Sequence, residues 1–419
     1  MDVKIYPSVL KGTVEAPPSK SAAHRLIICA ALSDKPSVIE ISALNKDIEA
    51  TIRSLNALGA EITRNGACLN VKPIVKPVKN ACADVGESGS TLRFLIPVCA
   101  ALGAETRFSG EGRLPERPLT DLLNAMTGCS YDSGKLPLTV KGVLEHGVFS
   151  LPGDISSQYI SGLLFACPLL KGDSNILLTT KLQSAPYVDM TISSLNKFSV
   201  SADKTPEGFF IKGGQKYISP GKIKVEGDYS AAAFWVAAGA IGGNLKITGL
   251  DKDSLQGDAE ICSLADKFGA VVKRDEFGAE VNSAELSGLE IDAGEIPDLV
   301  PALSVIGAFA KGRTVIYNAA RLRIKESDRL KAMADNLKRL GAVVEEKYDS
   351  LIISGGGLSG GTVSGYNDHR IVMSCAVAAA YAKEPVIIEG AEAVEKSYPL
   401  FFEDYKKLGG KVDVINNRR

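Results

Sequence analysis

Six times along the chain an amphipathic, helix-like run ends at one small residue and passes directly into a β-rich run, and this recurrence restricts the fold more than any other feature. The copies are IRSLNALGAEI, LLNAMTGCSY, ISSLNKFSVSA, CSLADKFGAVV, ADNLKRLGAVV and FEDYKKLGGKV. Their turn residues, Gly59, Gly128, Ser199, Gly269, Gly341 and Gly409, are spaced by 69, 71, 70, 72 and 68 residues. Glycine just past a helix accepts the left-handed backbone that stops it. The alternation that follows, as in AVVEEKYDSLIISG, is that of a strand and hairpin. A period near 70 is too long for a tetratricopeptide or ankyrin solenoid and too short for a typical domain. Three such units around a shared core make a domain of about 200 residues, so 419 residues read as two α/β domains of three repeats each.

Two stretches rich in Pro, Gly or charge are the expected crossings between domains: Ala16 to Pro18, and YISPGKIKVEGD at 217–228. The expected division is residues 19–226 in one domain and 1–18 plus 227–419 in the other. The N-terminal strand then returns to the second domain, and the active site lies in the interdomain cleft, a common place for ligands. With 48 Lys+Arg against 49 Asp+Glu, the chain is not a general nucleic-acid binder, so any anion site must come from local clustering of cations. The N-terminal residues contain no apolar signal core, and runs such as Leu26 to Leu32 and Ile371 to Ala382 are shorter than the roughly 20 residues of a membrane span. A cytoplasmic protein that does not engage membranes is expected. Eight cysteines lie far apart without a C-x-x-C pair and read as small core hydrophobes. With only three histidines, no metal site is expected, and acid/base work falls to carboxylates and lysines.

Five regions carry more chemistry than core packing requires. In PSKSAAHR (18–25), Lys20, Ser21 and His24 or Arg25 gather at a helix start, where open N–H groups suit phosphate or carboxylate; a capped helix with solvated charges accounts for the same residues. DVGESGSTLR (84–93) opens an apolar helix but lacks both G-K-[ST] and G-x-G-x-x-G, which disfavours a nucleotide. Its glycines admit a small anion or serve a tight turn. GEGRLPERP (110–118) holds Arg113 and Arg117 in a loop that Pro115 and Pro118 restrict, as a preorganised guanidinium or a solvated turn. Ser156, Ser157 and Gln158 stand at another helix start, where Ser-Ser is also a plain cap. Finally, RLRIKESDR (321–329) and YNDHR (366–370) set cations just before buried runs, which is costly unless an acid or anion meets them. If the first of these is helical, Lys325 and Arg329 share a face, with Glu326 adjacent. Asp298 precedes LVPALSVIGAFA as a buried carboxylate or a partner of the helix dipole.

In this order and over nearly the whole length, PSKSAAHR, GESGSTLR, ERP, DISSQY, IPD, RIKESDR, NDHR and KSYP resemble the motif set of the 3-phosphoshikimate 1-carboxyvinyltransferase (EPSP synthase) family of enolpyruvyl transferases. The resemblance implies a two-domain inside-out α/β barrel of six βαβαββ units, three per domain, closing on substrate. It implies transfer of the enolpyruvyl group of phosphoenolpyruvate to the 5-hydroxyl of shikimate 3-phosphate, releasing phosphate, in the shikimate pathway of aromatic amino-acid biosynthesis. The tetrahedral intermediate is non-covalent and neither cofactor nor metal takes part. Carried over by motif, Lys20, Ser21, Arg25, Ser156, Ser157, Gln158, Ser184, Asp298 and Lys325 form the shikimate 3-phosphate site. Lys20, Gly89, Arg117, Gln158, Arg329, Arg370 and Lys396 form the phosphoenolpyruvate site. Asp298 is expected as the base at the hydroxyl and Glu326, with Lys20, as the source of the methylene proton. The partners are these two small molecules, not nucleic acid, and the expected state is a monomer.

The sister enzyme that uses a UDP-N-acetylamino sugar has Asn and a reactive Cys where this chain has Ser21 and Gly112, which argues against that activity; a non-catalytic anion-binding protein is the other alternative. Glu87 and Arg321 stand where Asn is familiar in the family, as does His24, read as lying behind the site. A carboxylate at 87 repels an anion unless it points away or pairs with a cation. Gly89 keeps the small residue associated with room for the inhibitor glyphosate.

Overall fold

The computed structural model describes residues 1–416. All six turn residues of the repeat are left-handed, with φ of 110° at Gly59, 76° at Gly128, 59° at Ser199, 118° at Gly269, 91° at Gly341 and 93° at Gly409. Glycine takes this backbone without a Cβ clash; at Ser199 the same turn costs about 1–2 kcal/mol.

Each repeat contributes two helices of different character. α1 (Lys20–Ala31), α3 (Gly89–Ala101), α5 (Ser157–Ala166), α7 (Tyr229–Ile241), α9 (Val300–Phe309) and α11 (His369–Ala380) are apolar nearly all round and almost wholly buried, as such a helix must be in water. α2 (Lys46–Ala57), α4 (Thr120–Ala125), α6 (Ala185–Lys197), α8 (Glu260–Phe268), α10 (Arg329–Arg339) and α12 (Phe401–Lys407) bury one face only. The turn residues follow these amphipathic helices.

Six four-stranded sheets flank the helices, and each contains one parallel and two antiparallel pairings. In one, Ser37–Glu40 lies between Lys222–Lys224 (parallel) and Cys68–Lys72 (antiparallel), with Glu61–Asn65 at the edge. The first strand, Asp2–Tyr6, sits between Val386–Glu389 and Lys411–Asn416, and Lys11–Glu15 pairs with Asn244–Thr248. The chain accordingly divides into two compact units, Pro18–Val225, and Met1–Pro17 with the residues from Glu226 onward. Each unit has its own core. Phe94 against Phe165 marks the first, and Trp235 stacked on Phe401 with centroids 4.9 Å apart marks the second.

The reading of every cysteine as core needs correction. Cys29, Cys99, Cys167, Cys262 and Cys375 are buried, but Cys68 and Cys129 are half-buried and Cys82 is exposed, because alternation along Ala81–Asp84 turns it outward. Among the described residues, no helix is long and apolar enough to cross a membrane.

Candidate active site

In the 18–225 unit, Ser19, Ser88 and Ser156 cap α1, α3 and α5 by accepting from the backbone N–H groups of Ala22, Thr91 and Gln158. The residues that follow, Lys20 and Ser21, Gly89, and Ser157 and Gln158, therefore stand at helix N-termini, whose partial positive charge favours anions. Lys20 Nζ pairs with Asp47 Oδ2 at 2.8 Å, and Thr91 Oγ1 donates to the Asp47 carbonyl at 3.4 Å, so the starts of α1, α2 and α3 are tied together. A β-carbon at Gly89 would fall 2.7 Å from Arg93 Nη1 and 2.8 Å from Arg117 Nη1; two guanidiniums lie against this turn because it carries no side chain. Arg93 donates to Gln158 Oε1 at 2.8 Å while Gln158 Nε2 donates to Ser90 Oγ at 2.8 Å, which fixes the face the amide presents. Of the two arginines in the 110–118 loop, Arg117 is the one directed at Gly89. Arg113 is 45% exposed and pairs with Glu116.

The remaining residues of this unit gather where α1 meets α6. Arg25, buried, donates to the carbonyls of Ser21 (2.6 Å) and Tyr187 (2.8 Å) and to Thr191 Oγ1 (2.8 Å). Burial lowers it to about 10, so it keeps its charge at neutral pH while fastening the two helices. Ser184 precedes α6 at φ 57° and is buried; such backbone strain collects at functional sites.

The second unit brings Asp298, Lys325, Glu326, Arg329 and Arg370 into one cluster. Asp298 lies in the 3-10 turn Pro297–Leu299 that leads into α9. Its two carboxylate oxygens bridge two guanidiniums: Oδ1 accepts from Arg329 Nη1 at 2.8 Å and Oδ2 from Arg370 Nη2 at 3.0 Å. Lys325 Nζ is 3.8 Å away. Burial alone would raise the Asp298 carboxyl, but Arg370, Lys325 and Arg329 hold it well below the usual carboxylate range. Arg329 also donates through Nη2 to Glu326 at 2.8 Å and through Nε to Asp368 at 2.8 Å. Burial pulls Lys325 down to about 8, against the pull of Asp298. Close by in the same unit is Asp258, whose Oδ2 accepts from Ser230 Oγ and which burial, followed by the charge of Asp298, pushes up to about 6. Lys396 donates to the Asn367 carbonyl at 2.7 Å, in a turn where Tyr366 and Asn367 both have φ 51°, immediately before the cap Asp368.

The helical reading of 325–329 does not hold. A 3-10 helix ends at Ile324 and α10 begins only at Arg329, capped by Asp328. Lys325 and Arg329 share no helix face; they meet at Asp298 instead.

Sequence reasoning missed Asp47, Arg93 and Asp368 as members of these clusters. Arg93 and Asp368 stand inside quoted motifs, yet only burial beside other charges distinguishes them; nothing local links Asp47 to Lys20, 27 positions earlier. The unfamiliar residues also find their places. Glu87 lies over Gly112, which has φ 60° and where a β-carbon would collide with the carboxylate. Arg321 donates to the Gly294 carbonyl at 2.6 Å, bracing the turn that carries Asp298. His24 is buried, its Nδ1 2.7 Å from Thr51 Oγ1, and burial followed by the charges of Lys20 and Arg25 holds it well below 6.5, hence neutral.

The family profile described as EPSP synthase (3-phosphoshikimate 1-carboxyvinyltransferase) matches residues 6–405. The chain is 47% identical to the 3-phosphoshikimate 1-carboxyvinyltransferase of Clostridium kluyveri and 48% identical to that of Clostridium acetobutylicum, over 98% of each chain in both cases. It superposes on an EPSP synthase structure from Acinetobacter baumannii with a TM-score of 0.81 at 26% identity, covering 99% of this chain and 100% of that one. The fold is also that of the enolpyruvyl transferase NikO from Streptomyces tendae, with a TM-score of 0.79 at 18% identity over 98% of both chains. The match over nearly the whole length, together with the two clusters of cations and carboxylates at helix starts, assigns the chain to the EPSP synthase (3-phosphoshikimate 1-carboxyvinyltransferase) family.

Proposed function

We propose that the chain transfers the enolpyruvyl group of phosphoenolpyruvate to the 5-hydroxyl of shikimate 3-phosphate. The observation that carries this reading is the cluster around Arg329, where two candidate acid/base carboxylates, Asp298 and Glu326, share one guanidinium and Asp298 also binds that of Arg370, both suited to an anionic substrate. Lys20, Ser21, Arg25, Ser156, Ser157, Gln158, Ser184, Asp298 and Lys325 hold shikimate 3-phosphate. Lys20, Gly89, Arg117, Gln158, Arg329, Arg370 and Lys396 hold phosphoenolpyruvate.

Asp298 takes the proton of the attacking hydroxyl as its oxygen bonds to the enol carbon, and Glu326, with Lys20, delivers a proton to the methylene. The resulting ketal then loses phosphate and returns the methyl proton, restoring the alkene on the new ether. Developing charge on the phosphate and carboxylate is met by Lys20, Arg117, Arg329 and Arg370, fixed donors that need little reorganisation. Against the UDP-sugar alternative stands Gly112 at φ 60°, a left-handed backbone that a cysteine rarely adopts and where its β-carbon would have to displace the Glu87 carboxylate.

The test is inorganic phosphate release from phosphoenolpyruvate with and without shikimate 3-phosphate, in chelator-treated buffer. Release that requires both substrates supports the reading; release only with a UDP-sugar, or none, overturns it. In this reading the enzyme is a cytoplasmic monomer, which light scattering on the eluted protein and fractionation of the source cells check.

A further inference from the structure

Arg329 is held by three carboxylates, and the division among its nitrogens is informative. Nε donates to Asp368 Oδ2 at 2.8 Å, Nη1 to Asp298 at 2.8 Å and Nη2 to Glu326 at 2.8 Å, with a longer 3.4 Å contact from Nη2 to Asp368 Oδ1. Asp298 extends the arrangement by binding Arg370 through its other oxygen at 3.0 Å, and Arg370 Nη1 donates to the Asp298 carbonyl at 3.2 Å. A carboxylate or phosphate arriving from outside would seek the same terminal nitrogens, in the same one-oxygen-per-guanidinium bridge. Those nitrogens are engaged by the two carboxylates assigned to proton transfer.

Asp368 differs from both. It is fully buried, accepts from Ser327 Oγ at 2.9 Å and from the Arg370 backbone N–H at 3.0 Å, and grips Arg329 at the nitrogen farthest from its fork. Asp298 and Glu326 have side chains 16% and 20% exposed, so they retain room to swing away when the fork changes partners.

The geometry points to an exchange of counter-ions: Asp298 and Glu326 are resident stand-ins for the substrate anion, and phosphoenolpyruvate, on binding the forks of Arg329 and Arg370, displaces both and frees them for proton transfer, while Asp368 acts as a positioning residue that keeps Arg329 oriented. This rests on the transferase reading above. Its consequence is that the acid/base pair is released only when the anionic substrate is in place. A free Asp298 is the stronger base, because the cations that hold its carboxyl low are then neutralised by the substrate.

Calorimetric titration of phosphoenolpyruvate into the unsubstituted protein and into Asp298→Asn, Glu326→Gln and Asp368→Asn tests the exchange. Each substitution removes one negative charge, so a simple charge effect moves all three the same way. Exchange requires opposite signs. Removing a competing counter-ion, in Asp298→Asn or Glu326→Gln, tightens binding by about threefold to tenfold, whereas Asp368→Asn loosens the fork and weakens binding about tenfold. In turnover, Asp368→Asn raises KM for phosphoenolpyruvate and leaves KM for shikimate 3-phosphate unchanged; a purely structural role moves both. If Asp368→Asn does not fold, Asp368→Glu, which keeps the charge but shifts it by one methylene, tests the positioning role by itself: it weakens phosphoenolpyruvate binding with no change of charge, and unaltered binding overturns that role. Unaltered or weaker binding by Asp298→Asn and Glu326→Gln overturns the exchange and leaves the transferase reading intact. Tighter binding by Asp368→Asn overturns the positioning role, and if all three variants tighten together the cause is a simple charge effect and the exchange falls with it. Phosphoenolpyruvate bound by none of the proteins overturns the substrate reading and the exchange with it.

Discussion

Replacing Gly89 by Ala adds one methyl group at the start of α3, where a β-carbon would stand 2.7 Å from Arg93 Nη1, 2.8 Å from Arg117 Nη1 and 3.2 Å from Arg117 Cζ. All three contacts are shorter than the roughly 3.5–4.0 Å of relaxed packing, the two Nη1 contacts by most of an ångström, so both guanidiniums must move. They are the ends of long side chains, and Gly89 is not among the left-handed residues, so the backbone accepts alanine. Reduced freedom of the unfolded chain can even add about 0.4–1 kcal/mol of stability. The loss falls on binding: displacing one charge-assisted donor from an anion costs about 1.5–3 kcal/mol, or about 10- to 100-fold in KM for phosphoenolpyruvate. Gly162→Ala is the control. Its β-carbon would collide with the Arg93 backbone carbonyl where α3 and α5 approach closely, and backbone cannot swing aside. That substitution costs about 2 kcal/mol, lowering Tm by about 4–8 °C for a unit of this size. Steady-state kinetics and thermal unfolding of the two variants separate the effects. A Gly89→Ala protein with unchanged KM, or one destabilised as much as Gly162→Ala, would refute the argument that Gly89 serves the guanidiniums.

Asp298→Asn is expected to lower kcat by about 10²–10⁴-fold, as loss of a general base does, and stopped-assay phosphate release measures it; turnover within tenfold of the unsubstituted enzyme removes the role. Lys325, held at about 8 by burial, is charged below that pH and neutral above it. Log kcat/KM for shikimate 3-phosphate should therefore fall above about pH 8, and Lys325→Arg should abolish that limb. Asp258 has the reverse sign of the usual carboxylate: raised to about 6 from 3.8, it destabilises the fold above pH 6 and ceases to do so as pH falls below 3.8. The full difference is about 3 kcal/mol, so Asp258→Asn should stabilise the protein by that amount at pH 8, by only about 1 kcal/mol at pH 4.5 and hardly at all near pH 3; equal gains at pH 8 and pH 4.5 in denaturant titrations would count against it.

The repeat was legible because it rests on local physics. A left-handed turn after each amphipathic helix needs a small residue, and five glycines and Ser199 at a nearly constant interval record that need directly. The motif residues Lys20, Gly89, Gln158, Asp298, Arg329 and Arg370 could be picked out because their segments resemble the family's motifs, and at Arg329 and Arg370 because cations set just before buried helices are costly without a partner. Which partner each would take was another matter. A conditional helix through Lys325 and Arg329 gave way to a non-helical bend between a 3-10 helix that ends at Ile324 and the start of α10, since a segment whose charges converge on Asp298 gains more from those ion pairs than from helical hydrogen bonds.

Periodicity thus determined the six-unit α/β repeat and the helix stops, and short segments that resemble the family's motifs marked the candidate site, all of them properties of short stretches. The pairing of Lys20 with Asp47, the two guanidiniums over Gly89, the place of Glu87 above Gly112 and the sharing of Arg329 among Asp298, Glu326 and Asp368 were decided by the tertiary structure alone. Burial and charge interact through space with a strength set by distance and dielectric, and neither quantity is written in the order of residues along the chain.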